Sequence, residues 1–253
     1  MGRTAYEVAR ATRRWKHQVK ILAAAGFEIS KGTRILDIGC GEGENVRAMR
    51  ADGYDAWGCD IGLRDTPRSR EMIEAGLLKQ IPTDRYWVPF DDAHFDVVFS
   101  VEVLEHVLNY PEFISENRRV QKPGGVALHI FPGPYTPLEM HCGVPLATIH
   151  RSYPWLLFWA ALGIRNWSQK GASAREVARH NFLWLPANTN YLKTSEVRRL
   201  FGEKFSDVQF REDLFLEQSV SARGRFVNRL VAALPMLLPV YRNFWNRVLL
   251  ARI

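Results

Sequence analysis

Residues 34–60, RILDIGCGEGENVRAMRADGYDAWGCD, constrain the fold more than any other stretch. A short apolar run from Arg34 to Ile38 carries an acid, Asp37, and leads into a glycine-rich turn, Gly39-Cys40-Gly41-Glu42-Gly43. A helical stretch from about Glu44 to Arg50 follows, and a second apolar run from Asp55 to Cys59 ends in Asp60. The order is strand, tight loop, helix, strand, acid, which is the first half of a nucleotide-binding βαβ unit. Glycines let the backbone turn sharply and let a ligand approach the main chain. Free N–H groups at the start of the helix favour an anionic group. An acid at the tip of the second strand can accept two hydrogen bonds from ribose hydroxyls. The bland alternative for this stretch is a structural glycine turn.

The dinucleotide fingerprint G-x-G-x-x-G fails, because the position of its last glycine is Glu44, whose carboxylate would repel a pyrophosphate. The spacing is instead D-x-G-x-G-x-G, from Asp37 to Gly43. It resembles motif I of the class I S-adenosylmethionine (SAM) methyltransferases. Two further stretches carry the same resemblance. FDVVFS (95–100) leads directly into VEVLEHV, similar to the E-x-L-E-H-V of many small-molecule methyltransferases, and QKPGG (121–125) precedes a strand, 126–131.

The resemblance implies SAM as cofactor and an α/β fold, a three-layer Rossmann-like sheet of about seven strands. It implies that Asp37, Gly39, Cys40, Gly41 and Gly43 hold the methionine end of SAM. Asp60, with Ile61 beside it, would hold the ribose. Asp84, with Arg85, takes the place of the acid that contacts the adenine, and Val101 and Glu102 lie against the cofactor. Cys40 and Cys59 also read as small buried core thiols. Three cysteines without a C-x-x-C pair suggest a reducing compartment, hence a cytoplasmic protein. The N-terminus shows no apolar signal-peptide region, and no run of eighteen apolar residues is present.

Charge is unevenly spread. Of the net +7, residues 1–31 carry +5, residues 221–253 carry +6 with no acid, and the remaining 32–220 carry −4. A mildly acidic body argues against a nucleic-acid groove. The two basic ends could instead meet an anionic surface. An amine-binding N-x-P-P-Y-type motif is also missing from residue 100 onward, where Ser-Val-Glu-Val stands.

The remaining elements follow in order. Residues 4–25 read as an amphipathic helix with apolar positions Val8, Ala11, Trp15, Val19 and Leu22. It either covers the mouth of the site or packs with a basic outer face. A helix over 66–75, a short strand over 77–81 and a helix over 110–120 come next. Residues 132–190 are too long for a simple loop and read as an aromatic-rich insertion with short helices, forming a lid or substrate wall. Its apolar segment 153–164 is a buried helix, a substrate wall or an interfacial patch. A helix over 194–201 and two closing strands, 205–210 and 214–220, complete the expected domain. The tail, 224–253, reads as dispensable for the core and as two short helices broken by Pro235 and Pro239. It packs on its own domain, packs in a homodimer, or rests on a membrane surface. The domain plan is thus an N-terminal helix (1–30), a methyltransferase domain (31–223) and a basic amphipathic tail.

Methyl transfer to a hydroxyl needs alignment, exclusion of water and a base or metal. His106, with Glu102 and Glu105 nearby, is the first candidate for base or substrate contact. The alternatives for this group are Mg²⁺ binding and helix capping. His141 and His150 lie in the insertion, where acceptor contacts are expected. His129 reads as a core residue and His94 as a turn residue. The expected activity is O-methylation of a small-molecule, saccharide or lipid-linked acceptor at the inner membrane face. A soluble secondary-metabolite methyltransferase and an inactive SAM-binding module are the rival readings.

Overall fold

The computed structural model describes the backbone of residues 3–253. The first half comprises α1 (Arg3–Ala24), β1 (Arg34–Ile38), α2 (Glu44–Ala51), β2 (Asp55–Asp60), α3 (Arg70–Glu74), β3 (Leu78–Gln80) and β4 (Phe95–Val101). A 3₁₀ turn at Leu104–His106 leads to α4 (Tyr110–Val120) and β5 (Gln121–Pro132). The insertion then contributes α5 (Tyr153–Ala161) and α6 (Ala174–Asn188). The chain closes with α7 (Thr194–Gly202), β6 (Asp207–Phe210), α8 (Glu212–Glu217), α9 (Ala222–Ala233), α10 (Leu238–Phe244) and β7 (Asn246–Arg252).

The strands form one seven-stranded sheet in the order β3-β2-β1-β4-β5-β7-β6. β1 to β5 run parallel, whereas β7 is antiparallel to both β5 and β6. The central strands are apolar almost without interruption because both faces are covered. On one face Leu36, Val98 and Ala127 pack with Phe113 of α4 and Phe201 of α7. On the other, Ile35, Val97 and Phe99 pack with Trp15 and Leu22 of α1 and Met49 of α2. This is the expected three-layer architecture. The topology reverses direction between β1 and β4, the place where such sheets bind ligands.

α1 forms as its spacing predicts. Ala11, Trp15, Ile21 and Leu22 are buried and Val19 is half-buried, while the side chain of Val8 lies outside the described residues. Trp15 is pinned by a 3.1 Å hydrogen bond from its ring nitrogen to Asp52 and by edge contacts with Tyr54 and Phe99. The Lys-Pro-Gly-Gly turn is a wide bulge at the start of β5: Gln121 pairs with Phe95, and pairing resumes at Val126 with Val97. α3 starts later than expected, after a turn in which Ser69 and Thr66 bond to each other.

Two expectations about the C-terminal third are corrected. Residues 214–220 do not form a strand. Glu212 and Asp213 open a helix there, where acids favour the N-terminal end. The last strand comes instead from the tail. Val248 to Ala251 are fully buried between β5 and β6, so the tail is not dispensable. The two expected short tail helices are present as α9 and α10. Buried Arg247 fixes this strand by donating to the carbonyls of Pro132 (3.1 and 3.0 Å) and Leu192 (2.7 Å). Glu212 accepts from the backbone N–H of Val248 at 3.0 Å and from Arg242 at 2.8 Å. The turn into β7 lies so close to Gly133 that a Cβ there would stand 2.3 Å from the Asn243 carbonyl oxygen.

Removing residues 224–253 should therefore abolish cooperative thermal unfolding rather than release an independent domain. Near-ultraviolet circular dichroism of the truncated chain checks this; a sharp, near-native transition would contradict the placement of β7.

Candidate active site

The glycine loop behaves as its sequence demands. Gly39, Gly41 and Gly43 all have positive φ, at 76°, 56° and 83°. At Gly39 a side chain is also excluded by packing, since an added Cβ would lie 2.3 Å from a Val103 methyl group. The Cβ position of Gly41 faces open space. Asp60 holds the loop from the neighbouring strand, accepting from Gly41 N–H at 2.8 Å and Gly62 N–H at 2.7 Å. Each carboxylate oxygen keeps a lone pair for a further donor.

A cavity of about 400 Å³ lies over this loop, lined by Asp37, Gly39, Cys40, Gly41, Glu44 and Asn45 from the loop side. Arg10, Ala11 and Arg14 of α1 and Val101 and Glu102 after β4 close it. Asp37 is buried, which pushes its carboxyl up to about 7, although a hydrogen bond from Asn45 and the charge of Arg14 pull the other way. A second cavity of about 950 Å³ adjoins the first and shares Arg10, Arg14, Val101 and Glu102 with it. Its walls come from α1, the ends of β4 and β5, α8 and the tail: Phe215 of α8 and Leu230, Leu237, Tyr241 and Trp245 of the tail supply much of the apolar surface. No residue of the insertion lines it. The lid expectation for 132–190 thus does not describe this cavity, whose cover is α1 and the tail.

Glu102 sits at the junction. Its φ is 58°, a left-handed conformation that costs a non-glycine residue about 1–2 kcal/mol. The strained backbone is held by a 2.8 Å hydrogen bond from Glu102 N–H to the Ile130 carbonyl. Its carboxylate lies 3.5 Å from Arg14. Strain of this kind gathers at functional positions.

The three residues expected to be catalytic do not line either cavity. Glu105 is buried, with one carboxylate oxygen unpartnered, and burial pushes its carboxyl up to about 7. His106 and His141 do meet, at 3.1 Å between their Nε2 atoms. His141 Nδ1 faces the Glu139 carboxylate at 2.6 Å, and His106 Nδ1 faces the Asn188 carbonyl at 2.7 Å. Both partners only accept, so both Nδ1 atoms carry hydrogen. The Nε2 contact then needs a third proton, and the pair is one imidazole and one imidazolium. The extra proton belongs on His141, whose basicity the Glu139 bond raises, rather than on His106, whose basicity burial lowers. Burial would raise the Glu139 carboxyl, but the bond and charge of His141 together with the bonds from Cys142 outweigh this and hold it at about 2. The dyad ties the loop after β4 to the insertion.

Of the other expected residues, Ile61 is exposed beside Asp60, and its carbonyl accepts from the Gln80 side chain. Asp84 and Arg85 lie in an exposed turn between β3 and β4, outside both cavities. His129 is a core residue, bonded to Ser100 at 2.7 Å, and its burial lowers it to about 3. His150 bonds Ser152 at 3.2 Å and lines neither cavity. Among the described residues no three His, Cys, Asp or Glu side chains converge as metal ligands. Sequence reasoning missed Arg10, Arg14 and Asn45; the only signal for the arginines was the basic face of α1.

A family model described as a methyltransferase domain matches residues 8–194, most of the chain. The chain belongs to this family. The ubiquinone biosynthesis O-methyltransferase of Roseobacter denitrificans is 38% identical over 104 residues, which are 40% of this chain and 42% of that protein. The 2-methyl-6-phytyl-1,4-hydroquinone methyltransferase of Synechocystis is 35% identical over 97 residues, covering 38% of this chain and 30% of that one. The chain thus matches less than half the length of either relative. Among solved structures, a SAM-dependent methyltransferase from Archaeoglobus fulgidus superposes with a TM-score of 0.50 at 16% identity, covering 100% of this chain and 95% of that one. SAM is the cofactor of this class I methyltransferase fold, and the glycine cradle and its open space fit it.

SAM brings positive charge to a cavity floored by a half-ionised carboxylate. Cation binding favours the ionised form, so affinity should fall as pH drops through about 7, and binding should release a proton below that pH but not well above it. Titration calorimetry from pH 6 to 8 should show this slope for the wild type and a weaker, flat affinity for Asp37→Asn. An equal slope in the variant would remove Asp37 from the binding site.

Proposed function

We propose that the protein transfers a methyl group from SAM to an oxygen of a small-molecule or lipid-linked acceptor. The observation that carries this reading is the junction of the two cavities at Glu102, the one carboxylate among the described residues that borders both. When bound, SAM supplies an electrophilic methyl group on its sulfonium. The chain supplies the rest. Gly39 to Gly43 and Asp37 orient the methionine end, Asp60 the ribose, and Ile61 offers an apolar face to the base. Glu102 takes the proton of the acceptor hydroxyl, and Arg14, 3.5 Å away, holds that carboxylate in place until the acceptor displaces it. The His106–His141 dyad and Glu105 hold the loop that carries Glu102. Acceptance by oxygen is supported by the relatives named as O-methyltransferases of ubiquinone biosynthesis and of malonyl-[acyl-carrier protein].

Glu102→Gln should lower kcat by roughly 10²–10⁴-fold, the usual worth of a general base, while SAM affinity stays nearly unchanged. Stopped-time assays with labelled SAM against a panel of phenolic and prenylated hydroxyl acceptors measure this. A kcat within a few-fold of wild type would dismiss Glu102 as the base.

We further propose that the tail rests on an anionic membrane surface. Among the described residues no helix is long and apolar enough to cross a membrane. Yet α9, the turn after it and α10 bury no residue, and Phe226 (68%) and Met236 (75%) are largely exposed. Apolar side chains beside arginines suit interfacial binding. The full chain should float with phosphatidylglycerol vesicles, and Phe226→Ser with Met236→Ser should prevent this. Equal flotation with neutral vesicles, or no effect of the substitutions, would refute it.

A further inference from the structure

The large cavity has a charge arrangement that its own residues do not neutralise. Arg10, Arg13, Lys16, Lys20 and Arg223 all border it, and among the described residues none of the five forms an ion pair. Glu102 is the one acid on its wall, and it is already beside Arg14. The four α1 cations recur on one side of the helix, and Arg223 faces them from the start of α9. Opposite them the cavity is apolar, between the ends of β4 and β5 and the tail helices.

Gln18 is the second, independent observation. It borders the same cavity, it is 1% exposed, and neither its carboxamide oxygen nor its nitrogen has a hydrogen-bond partner. A buried amide without partners destabilises the fold that holds it. Such a group points to a ligand that completes it. One side of the cavity thus calls for an anion, the other for a hydrocarbon body, and Gln18 offers both a donor and an acceptor to polar atoms near the basic wall.

We propose that the acceptor is an anionic amphiphile, with a phosphate or similar anion on the α1 wall and an apolar chain along the tail helices. The idea rests on the methyltransferase reading in placing this ligand beside the cofactor. The same chemistry could come from a soluble amphiphile, a free anion or a bilayer headgroup, and the experiment separates them.

Full-length protein is titrated calorimetrically with octyl phosphate below its micelle concentration, with octanol, with inorganic phosphate and with phosphatidylglycerol vesicles. Octyl phosphate should bind at least about tenfold more tightly than octanol or inorganic phosphate, a difference of about 1.4 kcal/mol. Arg13→Glu with Lys20→Glu should erase that advantage and leave SAM affinity unchanged. Gln18→Leu should weaken octyl phosphate several-fold while raising Tm, because it removes the unpaired amide. The proposal falls if octyl phosphate binds no better than octanol or phosphate, if charge reversal leaves its affinity intact, or if only vesicles bind. Loss of SAM binding with octyl phosphate binding retained would count against methyl transfer and uphold the anionic cavity.

Discussion

The structure depends on the pairing of β7 between β5 and β6. A strand buried on both edges must satisfy its backbone donors and acceptors, and β7 pairs with β5 from Asn246 to Arg252 and with β6 from Leu249 to Arg252. Its placement decides where everything before it goes. Because β7 runs antiparallel to β5, α9 and α10 must turn back over the end of the sheet that carries the glycine loop. Buried Arg247 makes the arrangement specific. Its guanidinium spends its donors on the carbonyls of Pro132 and Leu192, the points where the chain leaves for the insertion and returns from it. Burial lowers the basicity of this arginine to about 10, still far above neutrality, so the charge stays and the carbonyls stay bound.

This geometry explains the charge distribution. The basic N-terminal helix and the basic tail are more than two hundred residues apart in the chain, yet they face one another across one cavity. Like charges converging around an apolar space are unfavourable in a protein with nothing to place between them. Among the described residues Glu102 is the one acid on the cavity wall, and it is already beside Arg14. Electrostatics and packing thus conflict at this place and agree nearly everywhere else, which is the pattern expected where function overrides stability.

The parts of the fold that could be read from residues were those encoded locally. Asp37 to Gly43 specifies its own loop, since only glycine takes three positive φ values so close together without strain. β4 declares itself by a near-continuous apolar run. The C-terminal third was not legible in the same way. Leu214 to Val220 opens with a short apolar run that could suit a strand, but Glu212 and Asp213 start a helix and Val248 to Ala251 take the sheet position. Whether an apolar segment becomes the strand is a competition between distant segments, which periodicity cannot rank. The candidate site divides likewise. The cofactor loop was evident from spacing, whereas the larger cavity required knowing that Arg10, Gln18 and Trp245 line one space. The His106–His141 contact was hidden for the same reason, joining positions 35 apart through an irregular segment.

The late position of β7 also shapes how the molecule must assemble. The contact of Arg247 with Pro132 closes a loop of 115 positions, while β1, β2 and β4 find one another over a few tens of residues. Loop-closure entropy and contact order make the first half the faster to form. The glycine loop can therefore organise before the wall of the larger cavity exists. A nascent chain would pass through a stage that has a floor for SAM and no enclosure for chemistry. Completion of the sheet, rather than arrival of the cofactor, is the step that turns a nucleotide-binding half into a closed reaction vessel.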